Sequence, residues 1–189
     1  MNLVTGRRTS LRPLAPDDIP WVTDCAENES LYTWRLRGAS PSPDSFEAWL
    51  WRSAEAQFIA VQTDTDDRLG FLQIHAVDLQ SGSAQLSVLM SARTWRRGWP
   101  LEAVILAMWW AFEQLPIERL YAHVSSAVLE RIASVVDSLA SVSAVLEGTQ
   151  AVGPGATVHV LTFERSAVGT DTLGQLVDAH WSPWRSASV

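Results

Sequence analysis

One stretch constrains this chain more than any other: AQLSVLMSARTWRRGWPLEAVILAMWWAF, from Ala84 to Phe112. It opens with a two-residue period. Ala84, Leu86, Val88 and Met90 alternate with Gln85, Ser87 and Leu89, which predicts a strand. A short polar loop follows, carrying Arg93, Arg96, Arg97 and Gly98. Pro100 stands where a helix would begin, a position that tolerates a missing N–H. Leu101, Val104, Ile105, Met108, Phe112 and Leu115 then recur at helical spacing until Pro116 ends the run. A strand, an arginine loop with one glycine and a helix start together make an anion site. The first helical turn offers unpaired N–H groups and the positive end of the macrodipole. Gly98 lets the backbone come close to a ligand, and the arginines add charge and forked donors. The ligand this expects is a phosphate or pyrophosphate. Such joints also carry Arg and Gly simply because loops are solvated, and the local pattern leaves both readings open. It is neither a G-x-x-x-x-G-K-[ST] loop nor a G-x-G-x-x-G loop.

The rest of the composition narrows the class. A length of 189 residues suits one domain with a tail. We expect a domain over residues 1–165 and a Ser/Thr/Gly-rich C-terminal extension over 166–189. Hydrophobic residues make up 47%, enough for a sizeable core. A formal net charge of −7 argues against a nucleic-acid partner, which usually meets a basic face. It suits a cationic substrate, although most acidic surfaces only solubilise. All 14 basic residues are arginine. The one cysteine, Cys25, excludes an internal disulfide and falls in a helical pattern, where it reads as a small core residue. The N-terminus shows no apolar signal segment, and the run from Ala103 to Phe112 is too short to span a bilayer. The expectation is a cytoplasmic protein with no membrane partner, monomeric or homodimeric.

In chain order, Thr9 to Leu14 reads as a strand that Pro13 marks as an edge or an end. Pro16, Asp17 and Asp18 open a helix with Ile19, Val22 and Cys25 or Ala26 inward. Ser42 and Pro43 start a second helix running to about Ala56. Strands are predicted for Gln57 to Thr63, Leu69 to Val77, the stretch from Ala84, and Ile117 to Val124. A helix over Val128 to Leu139 and a hairpin of Ser143 to Thr149 with Ala156 to Glu164 complete the domain. Hairpins predominate. The predicted class is α+β, a mixed, largely antiparallel sheet with helices on both faces.

Three segments on that order carry a resemblance: TGRRTSLRPLAPDD at the first strand, the glycine-led RLGFLQIHAVD, and WRRGWPLEAVILAMWWAF at the long helix. Together they resemble the GNAT superfamily of acyl-CoA-dependent N-acyltransferases, over roughly Leu3 to Arg165. The subgroup that includes the ribosomal-protein N-terminal acetyltransferases is the most similar, with its W-G-x-G-[YF]-A-x-E-A helix start. The resemblance implies transfer of an acetyl or other acyl group from acyl-CoA to a primary amine of a small molecule or peptide, by direct attack in a ternary complex. Acetyl-CoA would be a co-substrate, and no metal is implied. Backbone N–H groups of Arg96, Arg97, Gly98 and Trp99 would face the pyrophosphate, with Arg93 beside them. Val88 and Met90 would pair by backbone with the pantetheine arm and place the thioester. The chain departs from the family in four places. Pro100 replaces glycine or alanine, Arg96 a common glycine, and Gln85 a glutamate that orders a catalytic water. Val128 and Arg131 stand where asparagine and serine are expected, with no Gly-Phe pair after them. This eroded C-terminal motif keeps an alternative in view: a non-catalytic GNAT-like domain that binds a ligand or partner.

N-acylation needs a neutral amine, a route for its proton, and an acid for the leaving thiolate. The four histidines, His75, His123, His159 and His180, have no metal-ligand spacing. In its strand, His75 shares a face with Phe71, Gln73 and Val77. A suitable hairpin register would bring Gln73, His75, Gln85 and Ser87 together as a wet cleft, with His75 accepting the proton. A sheet solvated on one side would look the same. Tyr121 is the candidate thiolate acid, with His123 on the same face, although a strand tyrosine also serves packing. Ser125 and Ser126 could replace the missing asparagine as CoA contacts. Trp34 and Trp51 are candidate walls of the acceptor pocket, whereas Trp49 sits at core spacing.

Overall fold

The computed structural model describes residues 4–28, 48, 54–91, 94, 99–126, 128–130, 132, 141–147 (backbone only) and 157–167. The chain begins with β1 (Val4–Thr5) and β2 (Thr9–Pro13). A 3-10 turn at Pro16–Asp18 leads into α1 (Ile19–Asn28). Next come β3 (Ala54–Gln62), β4 (Arg68–Asp78) and β5 (Ser83–Met90). The helix α2 (Trp99–Gln114) is followed by β6 (Arg119–Ser125), β7 (Ser141–Glu147) and β8 (Thr157–Glu164). These eight strands form one sheet in the order β1-β2-β3-β4-β5-β6-β8-β7. All neighbours run antiparallel except β5 and β6. Parallel neighbours cannot share a tight turn, so α2 serves as their crossover. The expected mixed, largely antiparallel sheet with helices on both faces is what forms.

Strand alternation divides the core in two. Phe58, Ala60, Leu72, Ile74, Leu86 and Met90 turn toward α2, where Ala103, Ile105, Ala107, Met108, Ala111 and Phe112 meet them. Phe58 and Trp110 pack edge to face, ring centroids 5.0 Å apart. Ile59, Val61, Phe71 and Leu89 turn the other way, under Leu14, Val22, Cys25 and Ala26. Packing accounts for Gly70, the glycine of the glycine-led strand β4. The thioether of Met90 lies where a Cβ at Gly70 would be, and the Leu89 carbonyl is 2.9 Å from that point.

Two carboxylates pin the layers together. Asp18 is 1% exposed. It accepts from Arg12 at 2.6 and 2.8 Å, from Arg68 Nε at 2.8 Å and from the Ala15 N–H at 2.9 Å. The Arg12 hydrogen bonds, helped by those of Ala15 and Arg68, hold its carboxyl well below the usual range against the opposing effect of burial. Glu102, in the first turn of α2, is fully buried. It accepts from the Arg7 N–H at 2.6 Å and the Arg8 N–H at 3.2 Å. A Cβ at Gly6 would lie 2.6 Å from the Glu102 Oε1. The β1–β2 turn therefore closes directly onto the start of α2.

Three expectations need correction. Ala54 to Ala56 belong to β3, not to a second helix; Ala48 is helical, and the rest of that segment lies outside the described residues. A bulge opposite His75 lets β3 begin early, which a helical reading of Ala54 missed. The inward stripe of α2 is turned toward Ala103, Ala107 and Ala111, leaving Leu101 and Val104 on its flank. Small residues let a helix lie close to a sheet. Val77 does not share a face with His75: it packs with the α2 core, because a bulge between His75 and Asp78 inverts the alternation. Ala76, in that bulge, has φ +49°.

Candidate active site

The site begins where two parallel strands part. β5 and β6 pair only at Ser83–Arg119, Ala84–Leu120 and Gln85–Tyr121. Beyond Gln85, β5 runs on to Met90 while β6 continues to Ser125 against β8. A gap opens between them, and the edge of β5 that faces it follows from the ladder on its other side. The Ser91 N–H donates to the Leu69 carbonyl at 3.0 Å. Hydrogen-bonded and non-bonded pairs alternate in an antiparallel ladder. Leu72–Val88 and Gly70–Met90 are therefore non-bonded pairs, and the N–H and C=O groups of Val88 and Met90 turn toward the gap.

A polar strip leads to this gap on the α1 side of the sheet. The register sets Gln57 beside Gln73, Gln73 beside Ser87, His75 beside Gln85, and Gln85 beside Tyr121. Gln57, Gln73 and His75 are buried, whereas Gln85, Ser87 and Tyr121 are half-buried. The strip is thus not a solvated sheet face: it is dry on β3 and β4 and opens where the strands part. His75 Nε2 and Ser87 Oγ are 2.7 Å apart. They sit on a cross-strand diagonal, where Cβ atoms are usually about 7–8 Å apart, so the long imidazole spans it. Bulges on β3 and β4 flank His75 on both strands and hold it between them.

Across the gap, Tyr121 and His123 share the strip's side of β6. Burial pushes the His123 imidazole below its ordinary value. Thr162 on β8, next to Tyr121, is buried, and its hydroxyl has no hydrogen-bond partner among the described residues. Ser126 leaves the strip: its hydroxyl is 3.0 Å from His159 Nε2, and His159 lies opposite Val124, whose side chain packs with the α2 core. The Ser125 hydroxyl accepts from the Val128 N–H at 3.4 Å and so caps the helical turn that follows β6.

At the gap's other end, Thr94 folds back on Ser91 by backbone and side chain, and α2 starts at Trp99 with Pro100 second. Trp99 is half-buried against the α2 core. The remaining anion-loop candidates, Arg93, Arg96, Arg97 and Gly98, lie outside the described residues, as do Trp34, Trp49 and Trp51.

The fold therefore gathers Gln73, His75, Gln85, Ser87 and Tyr121 on the α1 face of the sheet around the gap, with Val88 and Met90 on the gap's edge, and sends Ser126 to the α2 face. Gln57, Thr162 and His159 were missed from sequence. Gln57 keeps the two-residue period of its strand and could have been read; the other two depend on strand order. Glu102 was visible as the acid of the helix-start motif, but its partners are 94 and 95 residues away. A separate hollow of about 260 Å³ lies by β2 and β3, lined by Pro13, Leu14, Glu55, Phe58 and Trp110, and shares only Gln57 with the strip. Among the described residues no group of His, Cys, Asp and Glu could hold a metal ion, and no helix is long and apolar enough to cross a membrane.

Comparison with known proteins meets this geometry. Among solved structures, the spermidine N-acetyltransferase of Vibrio cholerae in complex with CoA and spermine is similar, with a TM-score of 0.73 at 15% identity over 85% of this chain and 98% of that one. A dodecameric structure of the Vibrio cholerae enzyme in an intermediate state gives a TM-score of 0.72 at 14% identity, over 87% and 98% of the two chains. At such identities the likeness concerns the fold. No curated protein matches the chain significantly. Residues 8–127, more than half of the sequence, match the family model of the acetyltransferase (GNAT) domain. That stretch runs from β2 to just past β6 and so contains both walls of the gap: the chain belongs to the GNAT acetyltransferases.

Proposed function

We propose that the protein is an acyl-CoA-dependent N-acyltransferase that acylates a primary amine of a small molecule or peptide by direct attack in a ternary complex. The observation that carries this is the parting of β5 and β6 beside a strip of polar side chains. An extended, amide-bearing arm fits a gap whose edge offers the backbone of Val88 and Met90. The co-substrate supplies an activated acyl group as a thioester: one C–N bond forms, one C–S bond breaks, and the amine's proton must reach the sulfur.

The chain's residues then have separable tasks. The Val88 N–H polarises the thioester carbonyl, and Met90 pairs with the arm. The start of α2 at Trp99, with Arg93, Arg96, Arg97 and Gly98 before it, receives the pyrophosphate. Ser126 lies on the α2 side of the gap, suited to the arm. On the other side His75 is the base. Being 7% exposed, it reaches the amine through the Ser87 hydroxyl. Gln85 holds a water and Tyr121 protonates the sulfur. Gln73, Ser87, Trp34 and Trp51 form the acceptor side. An amine acceptor also suits the acidic chain, and the similar Vibrio cholerae enzyme was seen with spermine. The ribosomal-protein subgroup remains the source of the peptide option.

The test is calorimetric titration with acetyl-CoA, followed by thiol release across a panel of polyamines and peptide N-termini. Micromolar binding and amine-dependent release are expected. No binding at millimolar acetyl-CoA would overturn the reading and leave a non-catalytic domain.

A further inference from the structure

The Ser87–His75 pair is arranged for more than passing a proton. A hydroxyl 2.7 Å from an imidazole nitrogen is the arrangement that activates a serine nucleophile. Of the two residues, Ser87 is half-buried and stands on β5, the strand that borders the gap, whereas His75 is buried and stands one strand further in, on β4. The next residue, Val88, turns its N–H toward the gap, where no strand among the described residues takes it up. A backbone N–H directly after the nucleophile is a frequent donor to the oxyanion of acyl transfer. Nucleophile, base and oxyanion donor thus fall on two consecutive residues of β5 and one of β4. Bulges on β3 and β4 hold the base in place.

We propose that Ser87 and His75 give the protein a second activity, hydrolysis of acyl thioesters through an acyl-Ser87 ester when no amine is bound. This rests on the reading that acyl-CoA enters the gap. In the first half, the Ser87 hydroxyl passes its proton to His75 Nε2 as Oγ bonds to the acyl carbon. The C–S bond breaks, and the proton on His75 moves to the departing sulfur. In the second half, a water gives a proton to His75 as its oxygen bonds to the acyl carbon. The Oγ–C bond breaks and His75 returns the proton to Ser87. The sum is thioester plus water to carboxylic acid plus thiol, with no change of oxidation state. A bound amine intercepts the acyl group before Ser87 does, so hydrolysis is the behaviour of the protein without acceptor.

The experiment uses the full chain with acetyl-CoA and no amine. Thiol release is followed over time, and acid-quenched protein is weighed and its peptides mapped. Release is expected together with a mass gain of one acetyl group on the peptide holding Ser87. Ser87→Ala should abolish the adduct and slow amine-free release by about a hundredfold or more. Ser87→Cys, which keeps a nucleophile in place, should restore an adduct as a thioester. Calorimetry on each variant separates the failures. If acetyl-CoA binds but no adduct forms and Ser87→Ala releases thiol as fast as the wild type, the proposal is overturned and the transferase reading stands. If acetyl-CoA does not bind the wild type, both fall.

Discussion

On β4, Leu72 and Ile74 point toward α2, while Gln73 and His75, interleaved with them, point the other way. The same alternation runs through β3 and β5, so the two faces of the sheet come from the same strands with opposite chemistry. Across β3, β4 and β5 the α2 face is apolar, with Phe58, Ala60, Leu72, Ile74, Leu86 and Met90 in one cluster. The α1 face is apolar only at one end, where Ile59, Val61, Phe71 and Leu89 meet α1, and becomes polar toward the gap. One face holds the fold together; the other is released from that task where the strands part. Buried polar groups cost stability unless hydrogen-bonded, and in this strip His75 is bonded to Ser87.

Substitutions on the two faces should therefore fail in different ways. The largest effect is expected from Phe58→Ala on the α2 face. It removes a buried ring packed on Trp110 and should cost about 3–5 kcal/mol in chemical denaturation. Turnover per folded molecule should stay within severalfold of the wild type. A selective loss of turnover at unchanged stability would erase the contrast between the faces.

His75→Ala should do the reverse. Turnover should fall by about a hundredfold, equivalent to about 2.7 kcal/mol of activation free energy, with acetyl-CoA affinity unchanged. Steady-state kinetics between pH 6 and 9 test this. An unaltered rate would remove His75 from the chemistry and leave water and Gln85.

Asp18→Asn sharpens the comparison at the apolar end of the α1 face. Asp18 bridges Arg12 and Arg68, and losing its charge should cost about 2 kcal/mol near pH 7. The folded carboxyl is held below its ordinary value, so its contribution is complete above about pH 4 and is lost as pH falls through the folded value. Wild type and variant should approach each other in urea denaturation at pH 3 and differ most near neutrality. A gap that widens with acid would contradict the sign.

The smallest effect belongs to Ala76→Gly. Left-handed φ strains alanine by about 1 kcal/mol, and glycine's larger unfolded-state entropy cancels roughly half of that or more. Stability should rise by no more than about 0.5 kcal/mol, while turnover falls slightly as the bulge loosens around His75. A loss above about 1 kcal/mol would mean that the alanine methyl is needed for packing.

Much of this was legible in contiguous residues. The two-residue period that sets Gln85 and Ser87 apart from Leu86 and Val88 carries the polar part of β5, and Pro100 and Pro116 bracket α2 closely. The hairpin through Gly82, at φ +64°, sets the register that joins Gln73 to Ser87 and His75 to Gln85. These features are local because a strand's alternation and a helix's start depend on neighbours within a few residues. The tertiary structure alone decided where the pairing of β5 and β6 stops, that a bulge turns Val77 to the opposite face from His75, and that Ala54 extends a strand. It also decided that Glu102 is buried under the β1–β2 turn and that Arg68 closes on Asp18. Each depends on partners far along the chain, which no short-range pattern encodes, and the gap itself is a limit to pairing that only the packing of α2 and β8 around β6 can set.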